Sequence, residues 1–292
     1  MTPTVKSKIE WIDIQNPKQA ELNNLKKKFH LHDVILKELE GPSARSHVER
    51  YDDYLYFVFY FPVYDEKNAV SHQAEIDFIV NKSAVVTVHY ENLTALEAFR
   101  NTRAQGSLDF VYELIQALFT FQERQLVHVR EKIELIGNEL FKSHERQVLE
   151  QVSYLKRDMS EYRIVMSHQG AILNSLAQNG VTFWGEGARI YLNDLVGDHL
   201  KVANRLTSYY ETLSDFEDTN NQLMNVKATE VMKTFTVLAF FTFPPMLLAA
   251  LFGMNTEGMP FAGVPYGFWI VVAIMAAAML TMYSYFKRKG WL

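Results

Sequence analysis

The side chains best suited to chemistry lie in a short polar junction between two apolar runs near the end of the chain. Asn255 closes the triplet Gly253-Met254-Asn255, and Glu257 follows two positions later. A polar triplet that closes one apolar run, followed so soon by an acidic residue, is unusual for a simple connection. The surrounding elements must explain why these residues stand there.

A second group of candidate side chains is acidic and lies along one long predicted helix. Its members are Asp194, Asp198, Asp215, Glu217 and Asp218. A solvated acidic helix face is the ordinary interpretation of this pattern. The local sequence shows neither a phosphate-binding glycine loop nor a Ser-His-Asp or Cys-His arrangement, so we do not predict an enzyme.

Composition limits the classes of function further. The chain has 292 residues, no cysteine and a net charge of -5. Thiolate metal sites are thereby excluded, and a general affinity for nucleic acid is not expected. Charge is abundant before about Ala228 and nearly absent afterwards, until Lys287-Arg288-Lys289.

The uncharged region contains two candidate membrane spans. Thr234 to Met254 and Tyr266 to Phe286 carry no charge, and each reaches the roughly 20 residues that a helix needs to cross a bilayer core. A pair of buried helices in a soluble core is the alternative, but core helices rarely run this long without charge. Interfacial aromatic residues support the spans: Tyr266, Trp269, Tyr283, Tyr285 and Trp291.

Basic residues predict the orientation of these spans. Lys227 and Lys233 precede the first span and Lys287-Arg288-Lys289 follows the second, whereas residues 255–265 contain no Lys or Arg. The positive-inside rule then places both termini in the cytoplasm and the short loop outside. The expected location is the inner cell membrane.

The first part of the chain predicts a small α/β domain over residues 1–105. Strands are expected at Ile9 to Asn16 and from Tyr54, Ala74 and Ala84, with a tight turn at Asn81-Lys82-Ser83. Short helices are expected between the first two strands and from Thr94. Asn16 is predicted to cap the first of them, with Pro17 at its first position.

Residues 106–232 predict a helical stalk. The segment Asn179 to Gly187 interrupts the helical pattern, and one continuous helix is expected from about Ala188 to Met254. Residues 233–292 then form a two-helix transmembrane domain. The predicted fold class is an α+β membrane protein with an N-terminal cytosolic α/β domain, a long helical stalk and two C-terminal transmembrane helices.

With this organisation, the sequence resembles the CorA magnesium transporter family. The resemblance rests on Gly253-Met254-Asn255 at the end of the first span, on "TEGMP" after it, and on "EVMK" before it. The terminal "YFKRKGWL" matches as well, and the soluble part agrees more loosely through "RYDDYLYFVFYF" and "AVVTVHY".

The resemblance implies a homopentameric funnel in which the first span of each subunit lines a central pore. Counting back from Asn255 in helical steps gives a largely apolar stripe, with Met232, Phe235, Phe243 and Met246 as pore or gate residues. An apolar constriction can gate by dewetting, and the candidate gate is Met232 with Phe235. Met246 stands where the family often has a polar residue, and packing against the second span is the alternative for each position.

The resemblance also gives the triplet a role as a selectivity filter. Mg²⁺ releases its waters reluctantly, so a ring of Asn255 amides would hold the hydrated ion through those waters. Gly253 would let the helix end and let subunits approach, Met254 would anchor the loop, and Glu257 would concentrate cations at the external mouth.

Regulation by cytosolic Mg²⁺ is implied in the same way. Asp194 would bind regulatory Mg²⁺ at a subunit interface, with Asp198 as the alternative, and Asp218 would face the inner pore. Asp52 or Asp53 is a candidate partner carboxylate. Binding there would favour the closed form.

The predicted function is thus a channel or transporter that imports Mg²⁺ down its electrochemical gradient, with Co²⁺ and Ni²⁺ as further candidates. One alternative is a zinc or proton-coupled divalent cation transporter of the same superfamily, against which Met254 argues. The other is a non-transporting, membrane-anchored helical scaffold, for which Asn255 and the pore stripe could be changed freely.

Overall fold

The computed structural model describes residues 9–43, 45–65, 70–100, 104–142, 144–254, 260–261 and 264–291. The chain divides into two compact units, Met1–Glu217 and Asp218–Leu292. The predicted fold class is confirmed: an N-terminal α/β sheet region is followed by long helices and by two apolar helices.

The first unit is built on one five-stranded sheet. Its strands are β1 (Glu10–Gln15), β2 (Val48–Arg50), β3 (Leu55–Asp65), β4 (Val70–Val80) and β5 (Ala84–His89), in the spatial order β1-β5-β4-β3-β2. The β1–β5 pair is parallel and the other pairs are antiparallel. The predicted strands are confirmed, whereas the short edge strand β2 was not predicted.

Both faces of the sheet are covered, which explains the unbroken apolar run in β3. Tyr56 and Val58 belong to a core that includes residues of the first two helices, whereas Phe59 packs edge-on against Phe119 from a later helix. Phe57 and Phe78 are cross-strand partners whose rings stack with centroids 4.5 Å apart. A strand buried on both sides needs apolar residues at every position rather than at every second one.

The predicted cap at Asn16 is wrong. Asn16 adopts a left-handed conformation (φ 51°), and its N–H donates to the His89 carbonyl at 2.8 Å. Helix α1 (Gln19–Phe29) begins only after Lys18, whose N–H donates to the Glu21 carboxylate at 2.8 Å. Asparagine tolerates left-handed backbone better than most residues, and here it turns the chain out of β1.

Six further helices complete the described part of the chain. They are α2 (Asp33–Glu38), α3 (Thr94–Phe99), α4 (Ser107–Glu139), α5 (Glu145–Trp184), α6 (Ala188–Phe252) and α7 (Gly267–Arg288). The predicted interruption from Asn179 starts too early, because α5 continues through Gly180 and ends at Trp184. The long helix predicted from Ala188 is confirmed as α6.

The C-terminal end of α7, in the second unit, is a Schellman cap. Gly290 is left-handed (φ 67°), the Trp291 N–H donates to the Phe286 carbonyl at 3.0 Å, and the Gly290 N–H donates to the Lys287 carbonyl at 3.2 Å. The cap folds Trp291 back so that its ring stacks on Phe286, at 5.7 Å between centroids. Such a hydrophobic contact commonly accompanies this motif.

We expect Gly290→Ala to loosen this cap. A left-handed residue with a Cβ costs about 1–2 kcal/mol, which corresponds to roughly a five- to thirtyfold larger open population. Hydrogen exchange at the amides of residues 290 and 291 should accelerate by that factor. Gly187→Ala is the matched control, because Gly187 is exposed and no atom lies within 4 Å of the position that its Cβ would take. Equal exchange in both variants would contradict the role of the cap.

Candidate functional site

The apolar parts of α6 and α7 satisfy the length and composition of membrane spans. In each helix only 6% of the most apolar 18-residue window is buried within the single chain. The predicted pore and gate residues follow this pattern: Met232, Phe235, Phe243 and Met246 are all exposed. Apolar surface of this extent needs lipid or further copies of the chain around it. The pore role of the four residues stays a prediction.

The C-terminal end of the first predicted span closes at Gly253. Its N–H donates to the Ala249 carbonyl at 2.9 Å, and the Met254 N–H donates to the Leu251 carbonyl at 3.3 Å. A Cβ on Gly253 would lie 3.1 Å from this Ala249 oxygen, so a larger residue would need the last turn to shift by a few tenths of an ångström. Met254 is 54% exposed in the single chain. Asn255 and Glu257 lie outside the described residues.

The chain enters α7 through a close backbone approach. The Gly267 N–H donates to the Val264 carbonyl at 3.0 Å, and a Cβ on Gly267 would lie 2.3 Å from the Phe261 oxygen. A side chain at this position would therefore displace the backbone of Phe261. The described residues of the predicted loop next to α7 are thus held close to Gly267 in a way that requires glycine.

Two of the predicted acidic residues meet polar side chains of α4. The Tyr112 hydroxyl donates to Asp194 Oδ2 at 2.6 Å, and the Gln116 amide donates to Asp198 Oδ2 at 3.2 Å. The same amide lies 3.4 Å from Asp194 Oδ2. Tyr112 and Gln116 were not singled out from the sequence. Their spacing of four residues, which equals that of the two aspartates, was the available signal, because it places each pair on one helix face.

The charge and hydrogen bonding of Asp194 and Asp198 suit a cation. The hydrogen bond to Asp194 and partial burial raise the pKa of Tyr112 to about 12, so the hydroxyl stays protonated as a donor. The hydrogen bonds described above use one oxygen of each carboxylate and leave the other available. Hard oxygen ligands of this kind fit Mg²⁺. Within the described part of one chain, no three His, Asp or Glu side chains are grouped closely enough to bind a metal.

The remaining acidic candidates are dispersed. Glu217 forms an ion pair with Lys156 at 2.7 Å. Asp215 is exposed on α6, and Asp218, also exposed, opens the second unit. Asp52 and Asp53 are exposed in the bend between β2 and β3, and the described contacts do not join them to Asp194 or Asp198. The metal-binding and pore roles of these residues stay predictions.

His199, the residue after Asp198, is buried and uncharged. Its ring lies 6.2 Å from that of Phe119, and its Nε2 lies 2.8 Å from the position that a Cβ on Gly170 would take. Burial lowers the pKa of His199. The unfolded chain binds a proton at this histidine more readily than the folded chain does. The contribution of neutral His199 to the free energy of unfolding is therefore complete above about pH 6.5 and is lost as the pH falls below that value.

We therefore expect acid to destabilise the first unit through His199. The wild-type unfolding temperature should fall between about pH 7 and pH 5, and His199→Gln should reduce that fall. The measurement is thermal unfolding followed by tryptophan fluorescence across this range. His30→Asn serves as the control, since His30 is exposed and left-handed, a conformation that asparagine also accepts. An unchanged pH dependence in His199→Gln would count against this role.

Comparisons with known proteins agree over nearly the full chain. The family model described as CorA-like Mg2+ transporter protein matches residues 6–288. The chain is 23% identical to the cobalt/magnesium transport protein CorA of Methanocaldococcus jannaschii, covering 97% of this chain and 91% of that protein. It is 27% identical to the magnesium transport protein CorA of Haemophilus influenzae, covering 97% and 92% respectively.

A solved structure shows the same fold. The complete structure of the CorA magnesium transporter from Methanocaldococcus jannaschii aligns with a TM-score of 0.85 and 22% identity, covering 97% of this chain and 91% of that one. The family match extends over both units, from the sheet to the end of α7. The chain therefore belongs to the CorA-like Mg²⁺ transporter protein family.

Proposed function

We propose that this protein is a divalent cation channel that imports Mg²⁺ down its electrochemical gradient, with Co²⁺ and Ni²⁺ as further cargo. The observation that carries the proposal is the end of α6. The apolar and exposed C-terminal part of α6 closes at Gly253 and leads directly into Met254-Asn255, in a chain matched by one transporter family over residues 6–288. The protein acts as a transporter rather than as an enzyme.

The conducting form is a homopentamer in a lipid bilayer. Two spans cannot enclose a path for an ion, so several copies must surround a cyclic axis. The exposure of both spans in the single chain supports this requirement, and the number five comes from the family resemblance. Residues 1–105, 106–232 and 233–292 serve as the α/β, stalk and membrane domains.

The pore is lined by α6 of each copy. Met232 and Phe235 form the cytosolic gate, with Phe243 and Met246 further along the path. All four are exposed, which is what lining a path between copies requires. A ring of these apolar side chains blocks ions by excluding water when it is narrow, and it conducts when it widens.

Selection takes place at the external mouth. A ring of Asn255 amides accepts hydrogen bonds from the waters of hydrated Mg²⁺ and carries no charge that would hold the ion too tightly. The tight turn at Gly253 supports this placement, because it ends the helix immediately before the amide. Glu257 of each copy raises the concentration of cations outside.

Cytosolic Mg²⁺ closes the pore through Asp194 and Asp198. The two carboxylates converge on Gln116, and each keeps one oxygen for a cation. A neighbouring copy supplies the further ligands, with Asp52 or Asp53 as candidates. Asp218 faces the inner pore. A site shared between copies holds them together when it is filled, and so favours the closed state.

The protein lies in the inner membrane with both termini in the cytoplasm. Lys233 and the Lys287-Arg288-Lys289 run flank the inner ends of the two spans, whereas residues 255–265 carry no Lys or Arg. This asymmetry supports the orientation, since positively charged flanks stay on the cytoplasmic side.

Ion uptake into proteoliposomes tests the proposal. The protein is reconstituted with low internal Mg²⁺ and a membrane potential that is negative inside, and Mg²⁺ influx is followed with an internal dye. We expect rapid influx that depends on the potential. Absence of Mg²⁺ influx would overturn the import proposal. Zn²⁺ influx coupled to protons would then indicate the zinc transporter, and no flux of any divalent cation would indicate a scaffold.

A further inference from the structure

A groove of about 520 Å³ separates α6 from α7 beside the C-terminal cap. Its lining residues are Thr236, Phe240, Thr281, Met282, Tyr285, Phe286 and Trp291. All of them belong to the second unit. The volume lies within the range of small-molecule sites, which bind ligands largely through apolar contacts.

The C-terminal cap builds one wall of this groove. The cap places the Trp291 ring on Phe286, and Phe286 in turn contacts Phe240 at 5.7 Å between ring centroids. Lys233 fixes the cap from the other helix, because its Nζ donates to the Gly290 carbonyl at 2.8 Å and lies 5.9 Å from the Trp291 ring. The wall is therefore a defined part of the fold.

The interior of the groove is apolar despite its two threonines. The Thr236 hydroxyl donates to the Met232 carbonyl at 2.8 Å, and the Thr281 hydroxyl donates to the Ala277 carbonyl at 2.8 Å. With both hydroxyl protons satisfied within their own helices, these residues present methyl groups beside the aromatic rings. A hydrocarbon chain suits this interior better than a polar group.

Two cations extend the groove beyond its C-terminal end. Arg288 follows Thr281 by seven positions and Tyr285 by three, and Lys289 has the same relation to Met282 and Phe286. Residues at these spacings share a helix face, so both cations lie about one turn beyond the lining. Within the described part of the chain, the ion pairs of Lys and Arg with acidic side chains include neither of these two residues.

We propose that this groove binds an anionic phospholipid. One acyl chain occupies the space between α6 and α7, and the phosphate is held by Arg288 and Lys289. Charge complementarity selects this occupant: an apolar groove that ends in two cations without acidic partners matches a hydrocarbon chain that ends in a negatively charged headgroup. Basic pockets between spans are known to bind such headgroups. The inference requires only that the two helices lie in a bilayer, and it does not depend on ion transport.

Lipid retention tests the inference. Full-length protein is released from nanodiscs with equal amounts of phosphatidylglycerol and phosphatidylcholine, and the lipids that stay bound are counted by native mass spectrometry. We expect wild type to prefer phosphatidylglycerol by about thirtyfold, from two cations near the headgroup. Arg288→Gln with Lys289→Gln should reduce this preference to near parity.

The control removes two positive charges far from the groove. Arg130→Gln with Arg146→Gln changes net charge equally but alters exposed residues of the first unit, and it should leave the lipid preference unchanged. The proposal would be overturned if this control lost the preference for phosphatidylglycerol, or if wild type showed no such preference. So would displacement of the bound lipid by inorganic phosphate, since the acyl chain is required.

A third variant tests the apolar part. Thr281→Trp fills the groove without changing charge and should reduce retention of both lipids, as long as the oligomer elutes as wild type in size-exclusion chromatography. Unchanged retention in a normally assembled Thr281→Trp oligomer would place the lipid elsewhere. A groove covered by a second copy of the chain would retain neither lipid even in wild type, which also contradicts the inference.

Discussion

Asn255→Ala should lower Mg²⁺ influx into proteoliposomes by about a hundredfold. The proposed ring loses five amide acceptors, each worth about 0.5–1.5 kcal/mol, and their effects add only in part because they share one ion. A net rise of about 2.7 kcal/mol in the barrier corresponds to this factor. The measurement is the initial rate of dye response at a fixed negative potential.

Two further variants make this result specific. Asn255→Gln keeps the amide on a side chain that is one methylene longer, so it should retain more influx than Asn255→Ala. Asn138→Ala removes an exposed amide from α4 and should conduct as wild type. Equal influx through wild type and Asn255→Ala would leave the channel in place but remove Asn255 from its filter.

The second large effect concerns closure by internal Mg²⁺. Asp194→Asn combined with Asp198→Asn should raise the internal Mg²⁺ concentration needed for half-closure by about tenfold or more, within the usual range of coupling between two sites. Both asparagines still accept the hydrogen bonds from Tyr112 and Gln116, so the helix packing is kept while the negative charge is removed.

Asp215→Asn provides the comparison for this double variant. Asp215 is exposed on the same helix, and its substitution should leave closure unchanged. Influx is measured in proteoliposomes loaded with increasing internal Mg²⁺, so that basal transport and closure are obtained from one series. If the double variant closed at the wild-type concentration, regulation would have to act through other residues, and Asp218 would be the next candidate.

The larger elements of the fold could be predicted because their patterns are long. The charge-free runs and the helical period from Ala188 predicted α6 and α7. The β-branched and aromatic runs predicted β3, β4 and β5. The errors fall on single residues whose role depends on tertiary contacts. Gly180 resembles a helix breaker in sequence, but within α5 it makes room for Leu192 and Trp184, whose side-chain atoms lie 2.7 and 3.0 Å from the position of a Cβ.

In the candidate sites too, features set by local sequence could be predicted, whereas features set by tertiary contacts could not. The position of Gly253 at the end of a helix followed from local sequence, since an apolar run and a glycine suffice to predict it. Contacts from α4 to Asp194 and Asp198 could not be read from either helix alone. Tyr112 and Asp194 are 82 positions apart, and the pairing depends on how α4 and α6 pack within the first unit.

The pairing of β1 with β5 has a consequence for how the chain is made. The first strand stays unpaired until residue 89 has been synthesised, because its partner is the last strand of the sheet. Helix α5, which packs on β3, ends at Trp184, about fifty residues before the first apolar span begins at Thr234. At about 5–20 residues per second, this interval lasts roughly 3 to 10 s. The aromatic strand β3 can thus be covered on both faces before any membrane-inserting segment leaves the ribosome, so biogenesis separates the two hydrophobic parts in time.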